Sequence, residues 1–230
     1  MAHALARAGA DLILWARTGR LLEQHAKTLR QCRGRILPQV VDVTRPLRVH
    51  RSLQRAVRRL GRIDVLINNA GIWDGDAALR LSRRAWEAVV ETDLTSVFFV
   101  SQAVAPYMIR QGYGKVINIA STSGVMALPQ SAAYGTVKAA LMHLTRILAV
   151  EWGPAGVRVM GVAPGVFRTD MTREMFADHR WRKRRQAEIP LRRFGEPTDL
   201  AGLIVFLASG ASDHLTGQTI VIDAGASLTT

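Results

Sequence analysis

A single cysteine, Cys32, stands in the 230 residues. One thiol excludes an internal disulfide and leaves no thiolate cluster for a metal. The six histidines show no paired ligand spacing, so no metal site is expected. Acidic residues are scarce as well, 18 against 31 lysines and arginines, and the net charge is +13. Such a balance favours anionic partners, but no nucleic-acid motif accompanies it, and a solvated basic face is the plainer reading. Long apolar runs are missing too. None reaches the roughly 18 residues of a membrane span, and Arg7 and Asp11 interrupt any leader-like apolar core near the start. These absences point to a cytoplasmic protein with neither a membrane nor a nucleic-acid partner.

Short apolar runs are plentiful. Strands are expected at 10–15, 36–41, 63–67, 115–120, 157–162 and 219–223, each close to continuously hydrophobic. Between them lie helical patterns at 20–31, 46–60, 82–92, 94–111, 131–152 and 197–209, and residues 2–8 read as a helix end stopped by Gly9. Strands buried on both faces, alternating with helices, predict an α/β fold with a parallel sheet between helical layers. No linker or repeat divides the chain, so residues 1–230 are expected to form one domain. Residues 166–195 read as irregular or short helices carrying the basic run Arg180-Trp181-Arg182-Lys183-Arg184-Arg185.

In such folds ligands gather beyond the carboxyl ends of the strands. Arg17, Asp42, the run Asn68-Asn69-Ala70-Gly71, Ser121 and Pro164-Gly165 all fall there. Tyr134 and Lys138 follow Ser121 on the helix expected at 131–152, one turn apart and therefore on one face. A free phenol with a pKa of about 10 is a poor acid or base at neutral pH. A nearby ammonium favours the phenolate, and a tuned tyrosine can exchange a proton with an alcohol or carbonyl oxygen. The Ser121 hydroxyl could hydrogen-bond the same oxygen.

Taken together, these motifs make the chain resemble the short-chain dehydrogenases/reductases over nearly its whole length. The resemblance implies a Rossmann-like doubly wound parallel sheet and hydride transfer between a nicotinamide cofactor and an alcohol or ketone. It implies Tyr134 as general acid/base and Lys138 as the residue that tunes it and holds the nicotinamide ribose. Ser121 would orient the substrate oxygen. Asn69, Ala70 and Gly71 would pass beside the adenosine ribose, Asp42 and Val43 would touch adenine, and Pro164, Gly165 and Thr169 would fix the carboxamide. The fourth catalytic position, usually asparagine, is Asp93 here. Its charge is expected to hold Lys138 as ammonium and to oppose phenolate formation at Tyr134, altering the pH profile.

The end of the first strand carries Arg17 and no carboxylate, which suits the additional phosphate of NADP better than the ribose hydroxyls of NAD. The family's opening strand and glycine-rich turn find no counterpart. The expectation is a fold lacking both, incomplete at its N-terminus, with two interior strand edges unpaired. Either the working protein begins upstream or the chain is an inactive remnant. The resemblance extends to gluconate 5-dehydrogenase and 3-oxoacyl-carrier-protein reductase types, leaving a sugar acid or an acyl thioester as substrate. A non-catalytic scaffold is the alternative of another class. Relatives assemble as dimers or tetramers, which would use Phe98, Phe99, Leu141, Leu144 and Leu148 unless these are monomer core.

Overall fold

The computed structural model of the chain describes residues 1–229. In order, α1 (Ala2–Arg7) leads to β1 (Leu12–Ala16), α2 (Gly19–Leu29), β2 (Ile36–Val40), α3 (Pro46–Leu60) and β3 (Val65–Asn68). Then come α4 (Arg83–Val90), α5 (Ser96–Gln111), β4 (Gly114–Ile119), α6 (Ala132–Trp152) and β5 (Val157–Pro164). Two short helices, α7 (Arg173–Ala177) and α8 (His179–Glu188), precede α9 (Ala201–Ala208) and β6 (Thr219–Ile222). The Asp178 carboxylate starts α8 by accepting the Arg180 and Trp181 N–H groups at 2.8 and 3.1 Å. Within the basic run, Arg184 and Arg185 pair with Glu188.

Every strand pairing is parallel, in two hydrogen-bonded sets: β1–β2, and β3–β4–β5–β6 in that spatial order. Successive residues of β4 and β5 face opposite helical layers. Val116 and Val159 pack with Leu53, Val104, Met108 and Leu148 from α3, α5 and α6. Their neighbours Ile117 and Met160 pack with Ile204 and Leu207 of α9 and with Leu5 of α1. This double burial explains the unbroken apolar runs. Pro38 is tolerated in β2 because that strand has a neighbour on one side only among the described residues.

Among the described residues the two sets meet through side chains and not through a ladder. Trp15 of β1 and Leu66 of β3 share a cluster with Val41, Val49 and Val100. At this seam the Trp15 Nε1–H is buried without an acceptor among the described residues. Among the described residues β1 and β3 share no ladder.

The helices expected at 82–92 and 94–111 are one rod. Between α4 and α5 the chain continues through a π turn, Glu91–Thr95. The fused Arg83–Gln111 helix has the length and apolar content of a membrane span. Val97, Val100, Val104 and Met108 are nevertheless buried in the core. Of the apolar residues weighed for assembly, Leu141 and Leu148 are core, Phe98 and Leu144 pack against it, and Phe99 is 49% exposed.

Candidate functional site

The site lies where β3, β4 and β5 end. One residue past β4, Ser121 caps a single turn of 3-10 helix, Thr122–Gly124, its Oγ accepting the Ser123 N–H at 3.2 Å. That turn presses on α6. A Cβ at Gly124 would stand 2.6 Å from the Ala139 backbone nitrogen, so only glycine permits the approach. The approach sets Ser121 beside the first turns of α6, where Tyr134 and Lys138 lie one turn apart. The Lys138 Nζ is 5.3 Å from the centre of the Tyr134 ring.

Lys138 is buried and held from two sides. Its Nζ donates to the Ile119 carbonyl at 3.0 Å and lies 3.1 Å from Asp93 Oδ2. An ammonium has three donors, so one remains for a ligand. Asp93 is 0% exposed. The π turn aims it inward, as such turns often do at functional sites. Its Oδ1 accepts the Ile72 N–H at 2.8 Å. Gly71 passes so close that a Cβ there would come within 2.7 Å of Oδ2. Asp93 thus ties the loop after β3 to the lysine on α6. Burial pushes Asp93 up and Lys138 down, each toward neutrality, and outweighs the attraction of the opposite charge, which favours the ionised form of each.

The sequence leads one to expect Lys138 to lower the Tyr134 pKa, and the structure corrects this. Tyr134 is pushed up to about 12. Part of the ring stays open, but burial of the phenol is the leading cause. The Ser121 hydroxyl draws the value back, and the Asp93 charge raises it further. Lys138 is already balanced by Asp93 at 3.1 Å and has little field left for the phenol. The expected opposition of Asp93 to phenolate formation does hold.

Around this centre Asn69 and Ala70 are exposed at the end of β3. Asn68 is buried and structural: its Nδ2 donates to Ser101 Oγ at 2.9 Å and to Asn118 Oδ1 at 2.8 Å. Asn118 in turn donates to Thr145 Oγ1, joining β3, β4, α5 and α6. This network escaped the sequence reading, since Asn118 faces Asn68 only through the β3–β4 register. Pro164 ends β5, and the Gly165 N–H bonds the Ile222 carbonyl at 3.0 Å. Thr169 is exposed and its N–H donates to Thr172 Oγ1.

Farther out, Arg17 is exposed just past β1. Asp42 follows β2, its Oδ1 accepting from Thr44 N–H and Oγ1 at 3.0 and 2.7 Å. Partial burial raises Asp42, but the Thr44 bonds and the charges of Arg17 and Arg45 leave it below the usual range. Val43 is half-buried beside it. Among the described residues no group of histidine, cysteine and carboxylate side chains has a metal-binding arrangement.

The family described as "Enoyl-(Acyl carrier protein) reductase" matches residues 1–227. Gluconate 5-dehydrogenase of Gluconobacter oxydans (strain 621H) is 36% identical over 225 residues, covering 98% of this chain and 88% of that protein. A 3-oxoacyl-[acyl-carrier-protein] reductase of Thermotoga maritima is 36% identical over 220 residues, covering 96% and 89%. The crystal structure of a gluconate 5-dehydrogenase from Burkholderia cenocepacia J2315, in complex with NADP and tartrate, superposes with a TM-score of 0.94. Its identity is 33%, with 99% of this chain and 89% of that one covered.

Proposed function

The chain belongs to the short-chain dehydrogenase/reductase family, and on that premise we propose that Tyr134, Lys138, Ser121 and Asp93 form its reaction centre. The activity is NAD(P)-dependent interconversion of a secondary alcohol and a ketone. A bound nicotinamide supplies or takes the hydride; the residues of this chain handle the proton and the substrate oxygen. Tyr134 donates its phenolic proton to the oxygen of the carbonyl as that oxygen gains charge, and recovers it in the reverse reaction. Ser121 donates a hydrogen bond to the same oxygen. Lys138 offers its remaining N–H to a cofactor ribose hydroxyl, and Asp93 holds it in place. A phenol pushed up to about 12 starts protonated at neutral pH, the form that carbonyl reduction needs. The observation that carries this reading is the meeting of Ser121, Tyr134 and the Lys138–Asp93 pair at the end of β4.

The chemistry of the donor set fits the cofactor's nicotinamide and adenosine ends. We assign Pro164, Gly165 and Thr169 to the carboxamide side, Asn69, Ala70 and Gly71 to the adenosine ribose, and Asp42 and Val43 to adenine. NADP is the preferred form, since Arg17 is exposed and makes no ion pair among the described residues. A charge-assisted bond contributes about 1.5–3 kcal/mol, so Arg17→Ala should cut the NADPH preference about 10- to 100-fold. Equal catalytic efficiency of the unaltered protein with NADPH and NADH would refute it.

The substrate class we favour is a sugar acid, in keeping with the similarity to gluconate 5-dehydrogenases. An acyl thioester is the second reading, supported by the equal identity to a 3-oxoacyl-[acyl-carrier-protein] reductase. Initial rates on 5-ketogluconate against an acetoacetyl thioester, with NADPH, separate the two. We read residues 1–230 as one domain, with Thr230 outside the described residues, and the protein as a cytoplasmic homodimer or homotetramer. Support for assembly comes from Phe99 and Ile109 of α5 and Ile147 and Val150 of α6, which expose apolar surface.

A further inference from the structure

Trp73 follows the turn that ends β3, in a stretch without regular secondary structure. Its indole meets the Tyr134 ring edge to face, centroids 5.0 Å apart and planes at 77°. It is not a core residue. Its neighbour Ile72 joins the cluster around Val89, Ala133 and Val137, and Trp73 does not. On another side the indole is braced by Gly75, where a Cβ would fall within 2.6–2.7 Å of Nε1, Cε2 and Cζ2. Asp76 fixes the loop, its Oδ1 accepting the Ala77 N–H at 2.7 Å and the Arg80 Nε–H at 3.0 Å. A large ring is thus clamped between the backbone at Gly75 and the phenol, outside the core and half-exposed. No group among the described residues accepts its N–H.

We infer that Trp73 is the substrate-facing wall of the site and selects compact, hydroxyl-rich keto acids over acyl thioesters. A rigid indole offers a broad apolar face at small entropic cost and a polar handle at one edge. The C–H face of a polyhydroxy chain lies against such a ring while one of its hydroxyls accepts the free N–H. The hydrocarbon part of an acyl chain uses the face and brings no hydroxyl to the N–H. The inference rests on Tyr134 being the proton donor, because it is Tyr134 that the indole flanks.

The test compares the unaltered protein with Trp73→Phe and Trp73→Ala, each first shown to quench on NADPH titration as evidence of an intact fold. Loss of the N–H bond in Trp73→Phe should raise KM for 5-ketogluconate about tenfold. KM for the acetoacetyl thioester should move much less, and kcat should change little on either. Trp73→Ala should widen the gap between the substrates. A second readout needs no substrate: the phenolate absorbance of Tyr134, one of three tyrosines, should appear at lower pH in Trp73→Ala as water reaches the ring. Equal changes in KM for both substrates, or an unmoved phenolate titration, would overturn the inference. If the unaltered protein reduces neither substrate, the proposed function fails, and the titration still decides whether Trp73 covers the phenol.

Discussion

Replacing Asp93 with asparagine removes one negative charge and almost no volume. In the native site that charge lies 3.1 Å from Lys138 Nζ and cancels most of the field the ammonium exerts on Tyr134. The Nζ is 5.3 Å from the phenol ring centre. At an effective dielectric constant of about 20, an unbalanced charge at that distance is worth about 3 kcal/mol, or about two pKa units. Burial still opposes the phenolate and is unaffected by the substitution. The expected result is a fall of about one to two units in the Tyr134 pKa from its value of about 12. Alcohol oxidation needs the phenolate, so its kcat/KM should rise at correspondingly lower pH in Asp93→Asn. Ketone reduction needs the phenol and should begin to fall at lower pH. Lys138 loses the partner that favours its charged form, and the gain in oxidation fades once it deprotonates. The assay is the pH dependence of kcat/KM in both directions, with one cofactor at saturation. An unmoved profile would refute the charge argument.

Two other substitutions test the architecture. Lys138→Met strands the buried Asp93 charge and should destabilise the fold by about 3–5 kcal/mol in denaturant unfolding. Its carboxyl pKa is then raised further in the folded state, so the deficit should shrink toward acid pH and grow as pH rises. Asp93→Asn added to Lys138→Met should recover most of the loss. Gly124→Ala forces a Cβ against the Ala139 backbone, which cannot yield. Overpacking of this kind costs about 1–3 kcal/mol. Displacement of Ser121 should lower kcat about tenfold or more, with NADPH affinity unchanged by fluorescence titration.

Much of the layered fold was legible in the chain, because doubly buried strands must be apolar throughout. Residues 63–67 and 115–120 announce themselves in this way, and β3 and β4 fall within a residue or two of them. Tyr134 and Lys138 were legible because helical spacing is local. What escaped depends on tertiary placement. The pattern around Asp93 reads as two helices, since a π turn inserts a residue that no periodicity marks. The sign of the Tyr134 shift was misjudged because the lysine neighbour is visible in sequence and the burial is not. Trp73 gave no signal at all. It lies in an aperiodic loop, and its contact with Tyr134 exists only once β3 and α6 are packed.

The central claim is that the phenol of Tyr134 passes the proton. Tyr134→Phe removes one oxygen and keeps the ring that packs against Trp73. In a preparation shown to bind NADPH, ketone reduction should fall about 100- to 10,000-fold in kcat, with cofactor affinity preserved. Reduction at the rate of the unaltered protein would contradict it.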